Sequence, residues 1–341
     1  MAEILASRGP SVEATLRPVA SWPEALKGAI RSGAELCRQL QLPPELASDE
    51  AESDFPVFAP LEYVRRMKLG DAQDPLLRQV LGVPQETSDP LSGQRDAVGD
   101  LAAVRAPGLL HKYDRRVLMI TSGVCAVHCR YCFRRHFPYQ TAPKGRAGWQ
   151  QSLEIIAADP SIDEVILSGG DPLTLADEPL RSLVADIQDI PTIRRIRLHT
   201  LVPVVIPQRV CEPLLAWVRQ SRLPIYFVLH FNHANEIDAA VAKAVDQLRR
   251  AGATLLNQAV LLRGVNDSVA AQSELCLRLV DLQILPYYLH QLDRVQGALH
   301  FEVSDERALA IAQALPAHLP GYAVPKLVRE TAGEPSKTLL T

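Results

Sequence analysis

Short apolar runs alternate with longer amphipathic segments from Val117 onward. Contiguous apolar runs are typical of buried parallel strands, whereas the segments between them repeat with a helical period. Six strands are predicted, at Val117–Thr121, Val165–Leu167, Ile193–His199, Ile225–His230, Thr254–Leu262 and Ile284–Leu289. Five helices are predicted between them, at Trp149–Ala158, Leu180–Ile187, Val210–Gln220, Glu236–Ala251 and Val269–Leu282. This alternation predicts repeated βα units around a parallel sheet.

Six units are too few for a closed eight-stranded barrel, but right-handed crossovers would curl them into an open one. The predicted fold class is therefore α/β, a partial (β/α)6 barrel of the TIM type. Polar or reactive residues follow nearly every predicted strand, and the carboxyl ends of parallel strands meet on one face. We expect a site there, built from Cys125, Ser168–Asp171, His199–Thr200, His230, Asn257–Gln258, Tyr288 and His290.

Residues 1–108 show a different pattern, which is helical and irregular. Ser21 and Glu24 have the spacing of a capping box at the start of a helix. The stretch Gly82–Leu101 is rich in Pro, Ser, Asp and Gly, which predicts a loop. We predict two regions, an N-terminal helical and wrapping region over 1–108 and the barrel over 109–341. The predicted helices of the first region are Ser21–Leu40, Leu61–Met67 and Asp74–Leu81.

Charge and composition argue mainly against some classes of partner and location. The chain has 36 basic and 39 acidic residues, interspersed, so no basic stripe indicates nucleic acid as a partner. No run approaches the roughly 18 apolar residues of a membrane span, and the N-terminus lacks a signal-peptide pattern. We therefore expect a cytoplasmic protein with a small-molecule substrate. Among the six cysteines, Cys37, Cys211 and Cys276 lie in helical patterns and are expected to be buried apolar residues.

The other cysteines, Cys125, Cys129 and Cys132, form a C-x3-C-x2-C cluster directly after the first predicted strand. Three thiolates are one too few for a closed tetrahedral site, which favours an iron–sulfur cluster with one iron open to another ligand. Two alternatives stay open at this point. One is a structural zinc site with His128 or His136 as the fourth ligand, and the other is a set of cysteines that bind no metal.

The cysteine spacing, with Tyr131 before the third thiol, resembles the radical S-adenosylmethionine superfamily. The resemblance implies that the three thiolates hold a [4Fe-4S] cluster, whose open iron binds the amino and carboxylate groups of S-adenosylmethionine. The turn that begins at Ser168 resembles the glycine motif that holds the amino group of this cofactor, with Asp171 accepting from the ammonium. The residues expected to bind cofactors at the strand ends are Ser168, Gly169, Gly170, Asp171, His199, His230 and Gln258.

Further segments over roughly residues 60–341 together resemble the lysine 2,3-aminomutase family. They are Leu198–Thr200, Pro203–Arg209, His230–Glu236, Leu256–Gln258, Gly264–Asp267, Pro286–Tyr288 and His300–Phe301. The resemblance implies pyridoxal 5′-phosphate as a second cofactor, with its aldehyde held by Lys337 as the catalytic residue. The segment before Lys337 departs from the family pattern, because it has Gly-Glu-Pro-Ser where many members have consecutive glycines. In the same cofactor site, Tyr113 is expected against the pyridine ring and Arg116 at the phosphate.

The resemblance also implies L-lysine as the substrate, with migration of its amino group to give β-lysine. Arg134 matches the family position that pairs with the substrate carboxylate, and Asp293 matches the carboxylate that receives the distal ammonium. Glu330 stands where lysine mutases have a second aspartate, so the sign of the charge is kept on a longer arm. Neither acidic position has the cation that a glutamate substrate would need.

Three segments, Cys129–Pro138, Leu110–Tyr113 and Val324–Leu327, are similar to the elongation factor P β-lysylation protein B subgroup of this family. That resemblance implies (R)-β-lysine as the product and, as functional partners, a lysyl ligase and elongation factor P. It also implies a reductant such as flavodoxin or ferredoxin. Two alternatives are kept: a stand-alone metabolic 2,3-aminomutase acting on lysine or another amino acid, and a non-catalytic iron–sulfur protein.

Overall fold

The computed structural model describes residues 21–88 and 93–341, so predictions for residues 1–20 and 89–92 lie outside the described residues. The α-helices in these ranges are α1 Trp22–Lys27, α2 Gly33–Gln39, α3 Asp49–Asp54, α4 Leu61–Val64, α5 Pro75–Arg78, α6 Gly145–Ala158, α7 Asp177–Gln188, α8 Val202–Val205, α9 Glu212–Gln220, α10 Ala239–Arg250, α11 Val269–Asp281 and α12 Asp305–Ala314. The strands are β1 Val104–Ala106, β2 Leu109–Tyr113, β3 Arg116–Ser122, β4 Glu164–Gly169, β5 Arg195–Thr200, β6 Ile225–Leu229, β7 Thr254–Val260, β8 Leu285–His290, β9 Lys326–Arg329 and β10 Thr338–Leu339.

These strands form one sheet whose hydrogen-bonded order follows the chain from β1 to β10. Strands β3 to β9 are parallel, with Val117 of β3 opposite Val165 of β4 and Ile196 of β5 opposite Ile225 of β6. The flanking strands β1, β2 and β10 pair antiparallel. The α/β fold class is confirmed, and each of the six predicted strands and five predicted helices of the barrel has its counterpart in the structure.

One further parallel strand, β9, was missed by the prediction of six. It has only two apolar residues, Leu327 and Val328, between Lys326 and Arg329, so its pattern is too short to signal a strand. The hydrogen bonds that make it a strand come from β8, where Tyr288 lies opposite Lys326. Pairing with a neighbour, which the local sequence does not encode, decides this element.

The sheet is curled, so that residues near its two ends meet. Lys112 on β2 lies 2.6 Å from a carboxylate oxygen of Glu330, which follows β9. Side chains alternate along the strands, as a pleated backbone requires. On β5, Ile196 and Leu198 are buried on the outer side, while His199 lines an internal cavity. The curled sheet therefore has an apolar exterior packed under helices and an interior lined by both polar and apolar side chains.

The predicted single helix Ser21–Leu40 is wrong, because α1 and α2 are separated by an extended segment. Gly28 caps α1, and the side chain of Ser32 caps α2 by accepting from the Glu35 amide. Between them Ile30 exchanges both backbone hydrogen bonds with Ala59, a long-range pairing. Ser32 is a residue type that favours the start of a helix, but the continuous helical pattern around it outweighed this signal in the prediction.

The N-terminal helices pack against the barrel in one continuous hydrophobic core, which includes Leu36, Val64 and Leu76 together with the outer barrel residues. The Tyr63 hydroxyl also donates to Glu236 beyond β6 at 3.1 Å. The division at residue 108 stays a prediction; it falls in the turn that joins β1 and β2. No helix among the described residues is long and apolar enough to cross a membrane.

Candidate active site

A cavity of about 1070 Å³ occupies the interior of the curled sheet. It is lined at one end by the loop after β3 and extends to the start of β3, where Arg116 lies. Asn257, expected at these strand ends, does not line the cavity, because its side-chain amide exchanges hydrogen bonds with the Phe231 backbone. The residues predicted to bind the metal, the cofactors and the substrate all line it. They are Cys125, Cys129 and Cys132; Ser168, Gly169, Gly170 and Asp171; Tyr113, Arg116, Arg134, His199, His230, Gln258, Asp293, Glu330 and Lys337.

The cysteine loop, residues 123–135, lies at the carboxyl end of β3. Burial raises the pKa of each of the three thiols, and the neighbouring thiols add to the shift at Cys125 and Cys129. Three uncharged thiols crowded in one buried place are a donor set that a cationic centre would stabilise as thiolates. Within residues 21–88 and 93–341, no three His, Cys, Asp or Glu side chains are close enough to hold a single metal ion.

The zinc alternative is not favoured by the surroundings of its two candidate histidines. Nδ1 of His128 lies 2.8 Å from the Pro56 carbonyl oxygen, and Nε2 of His136 lies 3.1 Å from that of Gln296. His128 also stacks on the Phe55 ring with 5.0 Å between centroids. Both imidazoles are thus held by contacts outside the group of thiols, which a fourth zinc ligand would have to break.

The glycine turn after β4 packs directly against the cysteine loop. A Cβ atom on Gly170 would stand 2.3 Å from the Val124 carbonyl oxygen, so only glycine fits. The Gly170 amide donates to Ser122 at 2.7 Å, and the Asp171 amide donates to Val124 at 2.8 Å. The turn therefore fixes the backbone that leads into Cys125.

The Asp171 carboxylate accepts several hydrogen bonds from the protein itself. Its donors are the Thr200 hydroxyl at 2.7 Å and the amides of Leu173 and Leu201 at 2.9 and 2.7 Å. Burial raises the pKa of this carboxyl to about 6 despite these donors. The partners favour a positioning role that ties β4 to β5, and the expected contact with the cofactor ammonium stays a prediction.

Five charged side chains form a continuous row along the cavity, which we call the polar chain: Arg134, Asp100, Lys112, Glu330 and Lys337. Asp100 accepts from Arg134 at 2.7 Å and lies 3.0 Å from the ammonium of Lys112. Glu330 lies 2.6 Å from both Lys112 and Lys337. Burial opposes ionisation of Glu330, but the two ammonium groups outweigh it and lower its pKa to about 2. The polar chain thus connects the predicted substrate arginine to the predicted catalytic lysine.

Asp293, beyond β8, has no such ion pair among the residues that the structure describes. Its Oδ1 atom is buried without a hydrogen bond. Burial, reinforced by the charge of Glu330, raises the pKa of Asp293 to about 7. A buried acceptor without a donor is costly unless a ligand supplies one. Asp293 is therefore suited to receive a cationic group that enters the cavity.

Three histidines line the same cavity as uncharged imidazoles. Burial lowers the pKa of His199 and of His290 well below the usual range and that of His230 to about 4. The Nε2 atoms of His199 and His290 are buried without a hydrogen-bond partner. These atoms, with the buried hydroxyl of Tyr113, leave polar groups that a bound molecule could satisfy.

At the start of β3, Arg116 faces the cavity and its guanidinium lies 4.7 Å from the centre of the Tyr113 ring. No carboxylate pairs with Arg116 in the part of the chain that the structure describes. By contrast, the neighbouring Arg197 has Glu164 at 3.0 Å. The ammonium of Lys337 lies 5.9 Å from the centre of the Tyr288 ring. An unbalanced guanidinium, two aromatic rings and an amine suit an anionic aromatic aldehyde.

Two members of the polar chain, Asp100 and Lys112, were missed as site residues in the sequence. Asp100 lies at the end of a predicted loop, and its burial follows from the packing of that loop on the barrel. Lys112 contacts a residue 218 positions away. The segment that contains Lys112 had been singled out, but no local pattern distinguishes its ammonium from a solvated one.

No protein-family model matches the chain. It is 45% identical over 350 residues to the L-lysine 2,3-aminomutase of Escherichia coli, and the alignment covers 100% of this chain and 98% of that protein. It is 43% identical over 329 residues to the L-lysine 2,3-aminomutase of Haemophilus influenzae, and the alignment covers 96% of this chain and 97% of that protein. A crystal structure of Streptococcus suis SuiB bound to the precursor peptide SuiA has 14% identity and a TM-score of 0.48, with 61% of this chain and 46% of that one covered. The two sequence relatives span nearly the whole chain, and on their similarity the chain is an enzyme that belongs to the L-lysine 2,3-aminomutase family.

Proposed function

We propose that this enzyme interconverts L-lysine and β-lysine, with (R)-β-lysine as the product, and that it uses a [4Fe-4S] cluster, S-adenosylmethionine and pyridoxal 5′-phosphate. The observation that carries the proposal is that one cavity contains the three thiols and the Lys337 amine, with the polar chain lying along it. The names of the two relatives support the same reaction class.

The residues present fit the three groups. Cys125, Cys129 and Cys132 would hold the cluster, and the turn at Gly169 and Gly170 would border S-adenosylmethionine. Lys337 would hold the pyridoxal aldehyde, with Tyr113 at the ring and Arg116 at the phosphate. When bound, the cluster with S-adenosylmethionine supplies a radical that removes hydrogen, and pyridoxal phosphate supplies the conjugated ring that carries the amino group.

The chain's own contribution is to place lysine and to exclude water. Arg134 is held by Asp100 through its Nε atom and donates from Nη1 to the Ser168 hydroxyl at 3.4 Å, and its remaining N–H groups would meet the substrate carboxylate. Asp293 would accept from the distal ammonium, since its Oδ1 atom lacks a donor. Two charges fixed at the two ends of an extended diamino acid orient the carbon atoms between them. Burial of the site keeps reactive species away from solvent.

The product is proposed to serve the modification of elongation factor P, in which a lysyl ligase attaches (R)-β-lysine to that protein. This part rests on the subgroup motifs, Cys129–Pro138 and Leu110–Tyr113. A flavodoxin or ferredoxin is the proposed reductant, and the cytoplasm is the proposed location. Arg130 and Arg134 lie within the first of these motifs, so the subgroup resemblance includes the surroundings of the thiols.

The direct test is anaerobic turnover. Reconstituted enzyme is incubated with L-lysine, S-adenosylmethionine, pyridoxal phosphate and dithionite, and products are separated by chiral chromatography. We expect (R)-β-lysine, and the Cys129→Ala protein as control should give none. Enzyme that binds both cofactors but forms no β-lysine refutes the proposal, whereas (S)-β-lysine refutes only its stereochemical part.

The cellular role needs a separate test. Product from the wild-type enzyme is added to purified elongation factor P, the ligase and ATP, and the intact mass of elongation factor P is measured. We expect a mass increase of one β-lysyl group, and only with enzyme-derived product. Modification that proceeds equally with α-lysine would instead favour the stand-alone metabolic aminomutase.

A further inference from the structure

Glu86 is buried between two arginines that belong to the cysteine loop. Arg130 follows the second thiol directly, and its guanidinium approaches both carboxylate oxygens of Glu86, at 2.8 and 2.5 Å. Arg135, three positions after the third thiol, lies 3.1 Å from one of these oxygens. Glu86 and both arginine side chains are at most 1% exposed. We call these three residues the buried ion triad.

The triad ties the cysteine loop to three separate parts of the chain. Arg130 also donates to the carbonyl oxygens of Phe55 and of Ala51, which belong to the N-terminal region. Arg135 donates to the Gly297 carbonyl oxygen at 2.9 Å, beyond β8. Breaking the triad would therefore weaken the contacts of the cysteine loop with the N-terminal region and with Gly297. The buried guanidinium groups would lose an acceptor that no water molecule could replace.

The triad is not electrically balanced. It has two guanidinium groups and one carboxylate, which leaves one positive charge in a place that excludes water. Asp54 also pairs with Arg135 at 3.4 Å, but its side chain is 55% exposed and its charge is therefore screened. Buried charge is unfavourable unless it is compensated. A cluster held by three thiolates is anionic and becomes more so on reduction, so it would compensate this charge.

We propose that Glu86 is a positioning residue for the cysteine loop and that the excess positive charge of the buried ion triad raises the reduction potential of the cluster. The proposal rests on the cluster of the proposed function. Through Glu86, the N-terminal region would thus influence how readily the cluster accepts an electron. The charge on Glu86 opposes the two arginines, so its removal and the removal of one arginine should act in opposite directions.

The test uses two substitutions in the full-length reconstituted enzyme. Glu86→Gln keeps the shape of the side chain and removes its charge, and Arg135→Met removes one guanidinium while Arg130 still pairs with Glu86. The midpoint potential is measured by redox titration followed by electron paramagnetic resonance, and iron content is measured per chain. We expect a more positive potential in Glu86→Gln and a more negative one in Arg135→Met.

Asp163 offers a matched control. It is a buried carboxylate between two arginines, Arg115 and Arg195, at the opposite end of the barrel. Asp163→Asn should leave the midpoint potential at the wild-type value even where it lowers thermal stability. If the triad had only a structural role, both triad variants would be less stable, but their midpoint potentials would not shift in opposite directions.

The outcomes separate this proposal from the proposed function. Wild-type potential and iron content in both triad variants, or shifts of the same sign in both, would overturn the inference and leave the aminomutase assignment intact. A folded Glu86→Gln protein that binds less iron supports the positioning part. Wild-type protein that binds no iron on reconstitution would refute the proposed function itself.

Discussion

The ionisation of Asp293 should make lysine binding depend on pH in the physiological range. Its pKa of about 7 means that the carboxylate is mostly protonated at pH 6 and mostly ionised at pH 8. Only the ionised form attracts the distal ammonium of lysine, so affinity should rise with pH. The fraction ionised changes from about 9% to about 91% over this interval, which corresponds to about a tenfold change in affinity.

Asp293→Asn isolates this effect. A hydrogen bond to a charged group contributes about 1.5–3 kcal/mol, so the variant should raise the KM for lysine by roughly 10- to 150-fold at pH 8. At pH 6 the wild type is itself mostly protonated, so the ratio of variant to wild-type KM should be about tenfold smaller. Taking this ratio cancels the pH dependence of the substrate's own α-amine. The three imidazoles that line the cavity do not interfere, because burial lowers their pKa values below this interval.

The assay is the rate of β-lysine formation against lysine concentration at pH 6, 7 and 8, with the KM for S-adenosylmethionine measured in parallel. Glu334→Gln, an exposed carboxylate in the C-terminal segment, serves as the control and should match the wild type. A ratio that does not change with pH, or an equal rise in the KM for S-adenosylmethionine, would refute the assignment.

Stability gives an independent check of the same residue. An aspartate with a raised pKa holds its proton more tightly in the folded state, so the ligand-free enzyme loses stability as pH rises from about 4 to 7. The difference between an ordinary pKa of 3.8 and about 7 corresponds to at most about 4 kcal/mol. Asp293→Asn should therefore increase Tm at pH 8 while it weakens lysine binding.

Three further substitutions test other parts of the site. Lys337→Ala should abolish the absorption band of protein-bound pyridoxal phosphate and leave iron content unchanged; a retained band would contradict the role of Lys337. Asp100→Asn removes the charge that Lys112 and Arg134 share, so it should lower the free energy of unfolding by about 3 kcal/mol and raise the KM for lysine. An unchanged KM would limit Asp100 to a structural role. Gly170→Ala should reduce iron content several-fold by displacing Val124, whereas Gly321→Ala, where a Cβ meets nothing within 4 Å, should not.

The elements that the sequence predicted correctly are those whose pattern is local. The strand β6 is an apolar run of five residues between helical segments, and the cysteine cluster lies within eight residues. The strand β9 and the break between α1 and α2 depend on pairing with distant residues, through Tyr288 in one case and Ala59 in the other. No window of sequence contains that information.

The same distinction applies to the site. The spacing of the thiols is a local signal, whereas Lys337 could be singled out only through the family resemblance. Asp100, Lys112 and Glu86 have no distinctive local pattern, and each acquires its role from partners far along the chain. Long-range charge pairing is decided by which loops the barrel brings together, so it required the structure.

The position of Glu330 would allow one carboxylate to serve both the predicted catalytic lysine and the substrate. Its Oε1 atom lies 2.6 Å from Lys112, and its Oε2 atom lies 2.6 Å from Lys337. If Lys337 loses its charge by holding an aldehyde, Glu330 keeps Lys112 but its second oxygen lacks a cation. An entering diamino acid carries an ammonium that can replace the lost one, and the longer arm of glutamate lets Glu330 reach it while Lys112 stays in place. We therefore expect Glu330→Asp to preserve the pair with one lysine but not with both, and to lower affinity for lysine more than for S-adenosylmethionine.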